Sequence, residues 1–187
     1  MEEQNQISFI FDSLVRYLAN LYHAIPSSFL LTMAIAFAIW CMIVLIKLKQ
    51  KNRKIFSFLL FEYLLLFFFS TIVFRDSLEH VQCELIPFWS YSAIMKGRYD
   101  LIPEIFMNII VFIPVGFCLP FSFSRISCSL AFLFAAFISF IIELMQFVLI
   151  KGTAEIDDII HNTIGCLIGY GLGRLCLVVI KMHKSRV

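Results

Sequence analysis

Residues 143–173 read ELMQFVLIKGTAEIDDIIHNTIGCLIGYGLG: the end of one apolar run, a short polar hairpin, and the start of the next run. Most of the groups here that could do chemistry stand within a few positions of the hairpin. Glu143 and Gln146 precede it, Lys151, Glu155, Asp157 and Asp158 lie in it, and His161 and Asn162 follow it. If the flanking runs are membrane helices, these groups share one depth. A carboxylate near a bilayer centre costs about 2.5–3.5 kcal/mol or more, so an intramembrane Glu is read first as facing the bundle interior and paired. The hairpin is therefore the candidate site.

The whole chain supports the membrane reading. It has 187 residues, room for one domain, of which 61% are hydrophobic, with 22 Phe and a mean hydropathy of +0.92. A soluble fold would need far more polar surface than 15% charged residues can supply. The net charge of +2 carries no nucleic-acid signature, and no nucleic-acid partner is expected; what matters is how Lys and Arg divide among the loops. Six cysteines stand at 41, 83, 118, 128, 166 and 176 without a CxxC pair. They read as small hydrophobes, giving neither a disulfide framework nor zinc spacing.

Residues 1–26 lack the basic start, unbroken apolar centre and cleavage site of a signal peptide. Residues 7–25 instead place Ile7, Ile10, Phe11, Leu14, Leu18, Leu21, Tyr22 and Ile25 on one helical face, opposite Asp12, Arg16, Asn20 and His23. That pattern predicts an amphipathic helix lying in the interface and ending at Pro26. Spans are predicted at about 27–46, 55–74, 105–122, 128–150 and 159–180, each near the length needed to cross the hydrocarbon. The expected architecture is thus an all-α, polytopic membrane helix bundle with five transmembrane helices in a single 27–187 domain.

The cluster Lys47, Lys49, Lys51, Arg53, Lys54 assigns its loop to the cytoplasm. The resulting topology has the amino terminus outside and the carboxyl terminus inside. Nine Lys or Arg then fall in the inner loops and tail and five outside, and Arg174 can snorkel inward. The acidic loop 75–104 lies outside, and its apolar middle, LIPFWSY at 85–91, is expected to re-enter partly or to lie on the outer surface. Asn108, Pro114, Gly116 and Pro120 predict a kinked or broken third span. Gly165, Gly169 and Gly173 make a flat stripe that a second helix can approach closely, with 128–150 as the expected partner.

Asp157 and His161 share a helix face, as do Asp158 and Asn162, and one of the two aspartates is expected to be the N-cap of the last helix. Asp157, His161 and Glu143 would hold a cation only if they converged; their spacing matches no recognised ligand pattern, so neither metal nor cofactor is expected. Counting residues puts Asn108, Glu143, Gln146, Asp157, Asp158 and Asn162 at one level in the outer leaflet. Arg75 or Lys151 would meet an anionic group there. Glu62 falls deeper and reads as a protonated, hydrogen-bonded carboxyl. No GxSxG, HExxH, Walker or SxxK pattern appears.

The blocks Asn108 to Pro120 (NIIVFIPVGFCLP), Glu143 to Gln146 (ELMQ) and Glu155 to Tyr170 (EIDDIIHNTIGCLIGY), with Leu85 to Phe88 (LIPF) after Arg75, resemble the VanZ-like family of bacterial membrane proteins over about residues 60–175. Two positions depart from the family pattern: Glu84 precedes LIPF where Asn is common, and Lys151 and Gly152 stand where many members carry Arg. The resemblance implies a bacterial plasma-membrane location and a link to low-level resistance to teicoplanin, a glycopeptide acting on cell-wall precursors outside the membrane. The expected function is an outer-leaflet polar pocket for an amphiphile, either a lipid-linked wall precursor or a lipoglycopeptide. Its expected lining is Arg75, Asn108, Glu143, Gln146, Lys151, Asp157, Asp158, His161 and Asn162, with membrane lipids as partners and a homodimer as a further arrangement the sequence allows. The alternatives are an intramembrane enzyme using Glu143 or Asp158 as acid or base, and a small proton-coupled transporter using Glu62 and Glu143.

Overall fold

The computed structural model describes residues 53–73 and 77–184. The amphipathic segment 1–26, the first span 27–46 and Arg75 lie outside the described residues. Helix α1 (Arg53–Phe68) continues as a wider π-helical turn through Phe69–Val73. Where it widens, the hydroxyls of Ser70 and Thr71 both donate to the Phe67 carbonyl, at 2.8 and 2.9 Å. Strand β1 (Gln82–Glu84) and the short helix α2 (Trp89–Met95) follow. A single 3-10 turn, Tyr99–Leu101, leads into α3 (Ile102–Ser122). Then come α4 (Cys128–Leu149), strand β2 (Thr153–Glu155) and α5 (Ile156–Lys184). Four stretches, Arg53–Ile72, Tyr99–Ser122, Cys128–Leu149 and Ile156–Met182, are long and apolar enough to cross a membrane. They correspond to the last four predicted spans.

Helix α4 shows why this is a membrane bundle. Its buried face is Ala131, Ala135, Ser139, Glu143 and Gln146, while Phe132, Leu133, Phe137 and Phe140 point outward. Ser139 is 0% exposed and Phe137 is 62% exposed. Small and polar groups inside with large apolar groups outside invert the pattern of a water-soluble helix, and the arrangement is stable only against hydrocarbon.

Helix α3 packs along its length against α5 and has α1 beside it, and α4 packs mainly on α5. Phe112, Val115, Cys118 and Leu119 from α3, Ala131 and Ala135 from α4, and Cys166 from α5 form the core. The glycine stripe of α5 faces α3, not α4 as expected. A Cβ added at Gly173 would stand 2.6 Å from the Phe117 carbonyl oxygen, and those at Gly165 and Gly169 would come closer still to the Ile109 and Ile113 carbonyls. Gly116 of α3 returns the contact, facing the Cys166 carbonyl. The partner is set by that fourth glycine, which makes α3 the helix whose backbone can come near enough.

The expected break in the third span is absent: α3 is continuous through Pro114 and Pro120. Pro103 sits in its first turn, where no amide donor is needed. Pro114 has no amide to give the Ile110 carbonyl four residues before it, and the Tyr63 hydroxyl of α1 donates to the adjacent Val111 carbonyl at 2.8 Å.

At one end of the bundle, β1 and β2 pair in parallel, with Gln82 opposite Thr153, Cys83 opposite Ala154 and Glu84 opposite Glu155. The Leu78 amide extends the join to the Ile150 carbonyl at 2.8 Å. The loop between the first two described spans is thereby laid across the hairpin. At the opposite end, the Tyr170 hydroxyl donates to the Ile126 carbonyl at 3.0 Å, tying α5 to the α3–α4 link.

Candidate functional site

The site lies where the hairpin, α2 and the adjacent ends of α3, α4 and α5 meet. Ile150 ends α4 in the left-handed conformation, at φ 54°, and Phe88 opens α2 in the same region, at φ 64°. Left-handed backbone costs a non-glycine residue about 1–2 kcal/mol, so both positions depend on surrounding bonds.

At Phe88 those bonds come from Asp157. One carboxylate oxygen accepts from the Phe88 amide at 2.5 Å; the other accepts from the Ser90 amide at 3.0 Å and from the Ser90 hydroxyl. Asp157 therefore caps α2 from another helix. This corrects the expected cap: α5 begins at Ile156, so Glu155 holds the position before it and both aspartates lie in its first turn. Asp157 has become an acceptor for donors that α2 cannot satisfy by itself.

His161, one turn along α5, shares the face of Asp157. Its Nε2 is 2.9 Å from the Tyr91 hydroxyl, while Nδ1 is buried without a partner. Above this pair, Trp89 Nε1 donates to Glu155 Oε2 at 3.1 Å. Burial pushes the Glu155 carboxyl up to about 7; the neighbouring Glu104 adds to the rise, the Trp89 bond opposes it, and Asp157 and Glu84 contribute further. Glu84 is Glu155's cross-strand neighbour.

The second face of α5 carries Asp158 and Asn162. Asn108 Nδ2 of α3 donates to Asp158 Oδ1 at 2.5 Å, and Asn162 Nδ2 donates to Ser139 Oγ of α4 at 2.8 Å. Glu143, one turn beyond Ser139, is buried and accepts the Glu155 amide on Oε2 at 2.9 Å. Gln146 is buried a turn further, and its Oε1 has no partner; Asn162 Oδ1 has none either. Lys151 donates its amide to the Gln146 carbonyl at 2.9 Å.

The structure thus brings Asn108 to Asp158, Asn162 to the α4 stripe, and Glu143 to the hairpin backbone. Asp157 and His161 are turned to a different partner, the α2 segment. Glu143 consequently does not join Asp157 and His161 around one point, and among the described residues no three His, Cys, Asp or Glu side chains form a group that could hold a metal ion. Glu62, half-buried on α1, is away from this layer.

Sequence reasoning missed Trp89, Ser90, Tyr91 and Ser139 as contributors and left Glu155 outside the pocket lining. Ser139 was findable: with Glu143 and Gln146 it makes a polar stripe at i, i+4 and i+7. Ser90 carries no local signal, because its role comes from a carboxylate 67 positions away.

The VanZ/LLP1 family model matches residues 55–177. The chain belongs to this family. The matched region contains all four described spans almost entirely, the β1–β2 pair and every side chain of the site. Protein VanZ of Enterococcus faecium is 38% identical over 72 residues, which cover 37% of this chain and 45% of that protein. The chain thus spans about half the length of the curated relative it matches. No solved structure matches this VanZ/LLP1 chain.

Proposed function

We propose that the polar layer binds the headgroup of an amphiphile at the membrane surface, either a lipid-linked cell-wall precursor or a glycopeptide antibiotic, and that the protein contributes to glycopeptide resistance of the teicoplanin type. The observation that carries this reading is the excess of acceptors. Gln146 Oε1 and Asn162 Oδ1 are buried acceptors without donors, on the same side of the site as the carboxylates of Glu143 and Asp158. A buried acceptor left without a donor costs about 1–3 kcal/mol, and a ligand that supplies the donor recovers it. Sugar hydroxyls, amide N–H groups and ammonium groups are such donors, and glycopeptides and wall precursors are rich in them.

The apolar part of such a ligand has a place as well. Leu85, Ile86, Phe88 and Met95 are exposed beside the layer, a patch suited to acyl chains and the headgroup boundary. Membership of the VanZ/LLP1 family supports the resistance role.

Expression of the chain in a teicoplanin-susceptible Gram-positive host tests this reading. The wild type raises the inhibitory concentration and Asn162→Leu with Gln146→Leu, which removes both acceptors, returns it to baseline while the protein still reaches the membrane. Equal susceptibility with and without the chain overturns the proposal. A product formed from labelled lipid-linked precursor by the purified protein would replace binding with catalysis.

A further inference from the structure

The opposite end of the bundle holds a cavity of about 880 Å³ that the polar layer does not use. Its mouth is formed by Arg53 at the start of α1, Arg125 in the α3–α4 link and Ser122 at the end of α3. Both arginines are exposed, and no lining residue is acidic. Ser122 is only 6% exposed, and its Oγ lies buried without any partner. The nearby Ser127 differs, since its hydroxyl is already engaged by the Leu130 amide at 3.2 Å. The wall of the cavity is the stripe Leu130, Leu133 and Phe137 on α4. These positions follow one helix face for seven residues, about 10 Å along the membrane normal.

We propose that this groove holds an anionic phospholipid of the leaflet at that end, with its phosphate between Arg53, Arg125 and Ser122 and an acyl chain along Leu130, Leu133 and Phe137. Two guanidiniums and an orphaned hydroxyl supply donors for phosphate oxygens. The stripe supplies an apolar surface that an acyl chain covers. A free phosphate would satisfy the mouth but leave the stripe bare, which selects the lipid. The positive mouth also fits the negative surface potential of an anionic leaflet. This site is separate from the acceptor-rich layer, and its failure would leave the reading of that layer untouched.

The test is native mass spectrometry of the full chain released from nanodiscs of equal phosphatidylglycerol and phosphatidylcholine content, combined with photolabelling by a phosphatidylglycerol carrying a mid-chain diazirine. Phosphatidylglycerol should be retained at least about tenfold over phosphatidylcholine, and the label should fall on the peptide containing residues 128–140. Arg53→Gln with Arg125→Gln should abolish the preference, Arg125→Lys should keep part of it, and Ser122→Ala should weaken it. Equal retention of the two lipids overturns the proposal, as does retention unchanged in the double variant. Displacement of the lipid by millimolar inorganic phosphate, or cross-linking of Leu133→Cys to residues 1–52 with no lipid label, also overturns it by assigning the groove to another occupant.

Discussion

Asn108 and Asp158 meet across the α3–α5 interface with Nδ2 2.5 Å from Oδ1, and the two helices can come that near because Gly165 presses on the Ile109 carbonyl one position further along α3. The amide–carboxylate bond and the glycine contact are one arrangement. Asn108→Leu and Asp158→Leu should each destabilise the bundle, with a coupling in the double-variant cycle of about 1–2 kcal/mol. That exceeds the average of about 0.6 kcal/mol for hydrogen bonds within membranes because the acceptor is a carboxylate. Additive effects in reversible unfolding from detergent micelles would refute the pairing.

The glycine contact makes a prediction with an internal control. Gly165→Ala and Gly169→Ala place a Cβ against backbone, which cannot swing aside, so each should cost upward of about 1–3 kcal/mol. Gly171→Ala, on the same helix, meets nothing within 4 Å and should be neutral or slightly stabilising. Thermal stability in detergent orders the three variants.

Asp157 holds α2 through three donors, and its loss should release that segment. Asp157→Ala leaves the Phe88 and Ser90 amides and the Ser90 hydroxyl without their acceptor, at about 1–3 kcal/mol for each donor that stays buried. Tryptic cleavage at the exposed Lys96 and Arg98 should therefore quicken by an order of magnitude or more. Ser90→Ala, which removes one of the three bonds, should have a smaller effect.

Glu155 supplies the pH dependence. Its folded value of about 7 lies above the usual 4.5, so its contribution to stability is complete below about 4.5 and is lost as the pH rises through 7. Above that point a charged Glu155 faces Glu104, Asp157 and Glu84. In a Trp40→Phe background, the emission of Trp89, whose indole N–H meets this carboxyl, should titrate with a midpoint about 7. In Glu155→Gln the emission should stay flat over the same range.

The spans were legible because their signal is local: an unbroken apolar run of sufficient length reads the same in any tertiary context. The glycine stripe was legible as a close approach but not as a partnership. Gly116 was read as a residue that bends its helix, when its actual part is to receive the Cys166 carbonyl. Shared faces were legible too, since a four-residue spacing puts Asp157 beside His161 and Asp158 beside Asn162. The destination of the Asp157–His161 face was not, because it depends on Ser90 and Tyr91 in a loop whose strand is three residues long and pairs 71 positions away. Glu143 was expected to face the bundle interior and be paired; it is buried there, and one of its partners is the Glu155 amide, a donor that composition does not reveal.

The parallel pairing of Gln82 with Thr153 dictates an order of assembly. Ribosomal synthesis delivers the first strand long before its mate, and α3 and α4 must both emerge in between. Until the last helix arrives, the Phe88–Tyr91 segment has neither Asp157 nor His161 to hold it, and chains halted after Leu149 would leave the Phe88 and Ser90 amides, the Ser90 hydroxyl and the Trp89 indole N–H without their acceptors. Closure of this end therefore waits on the start of the last helix, which brings Asp157 and His161 to a segment made about 70 residues earlier.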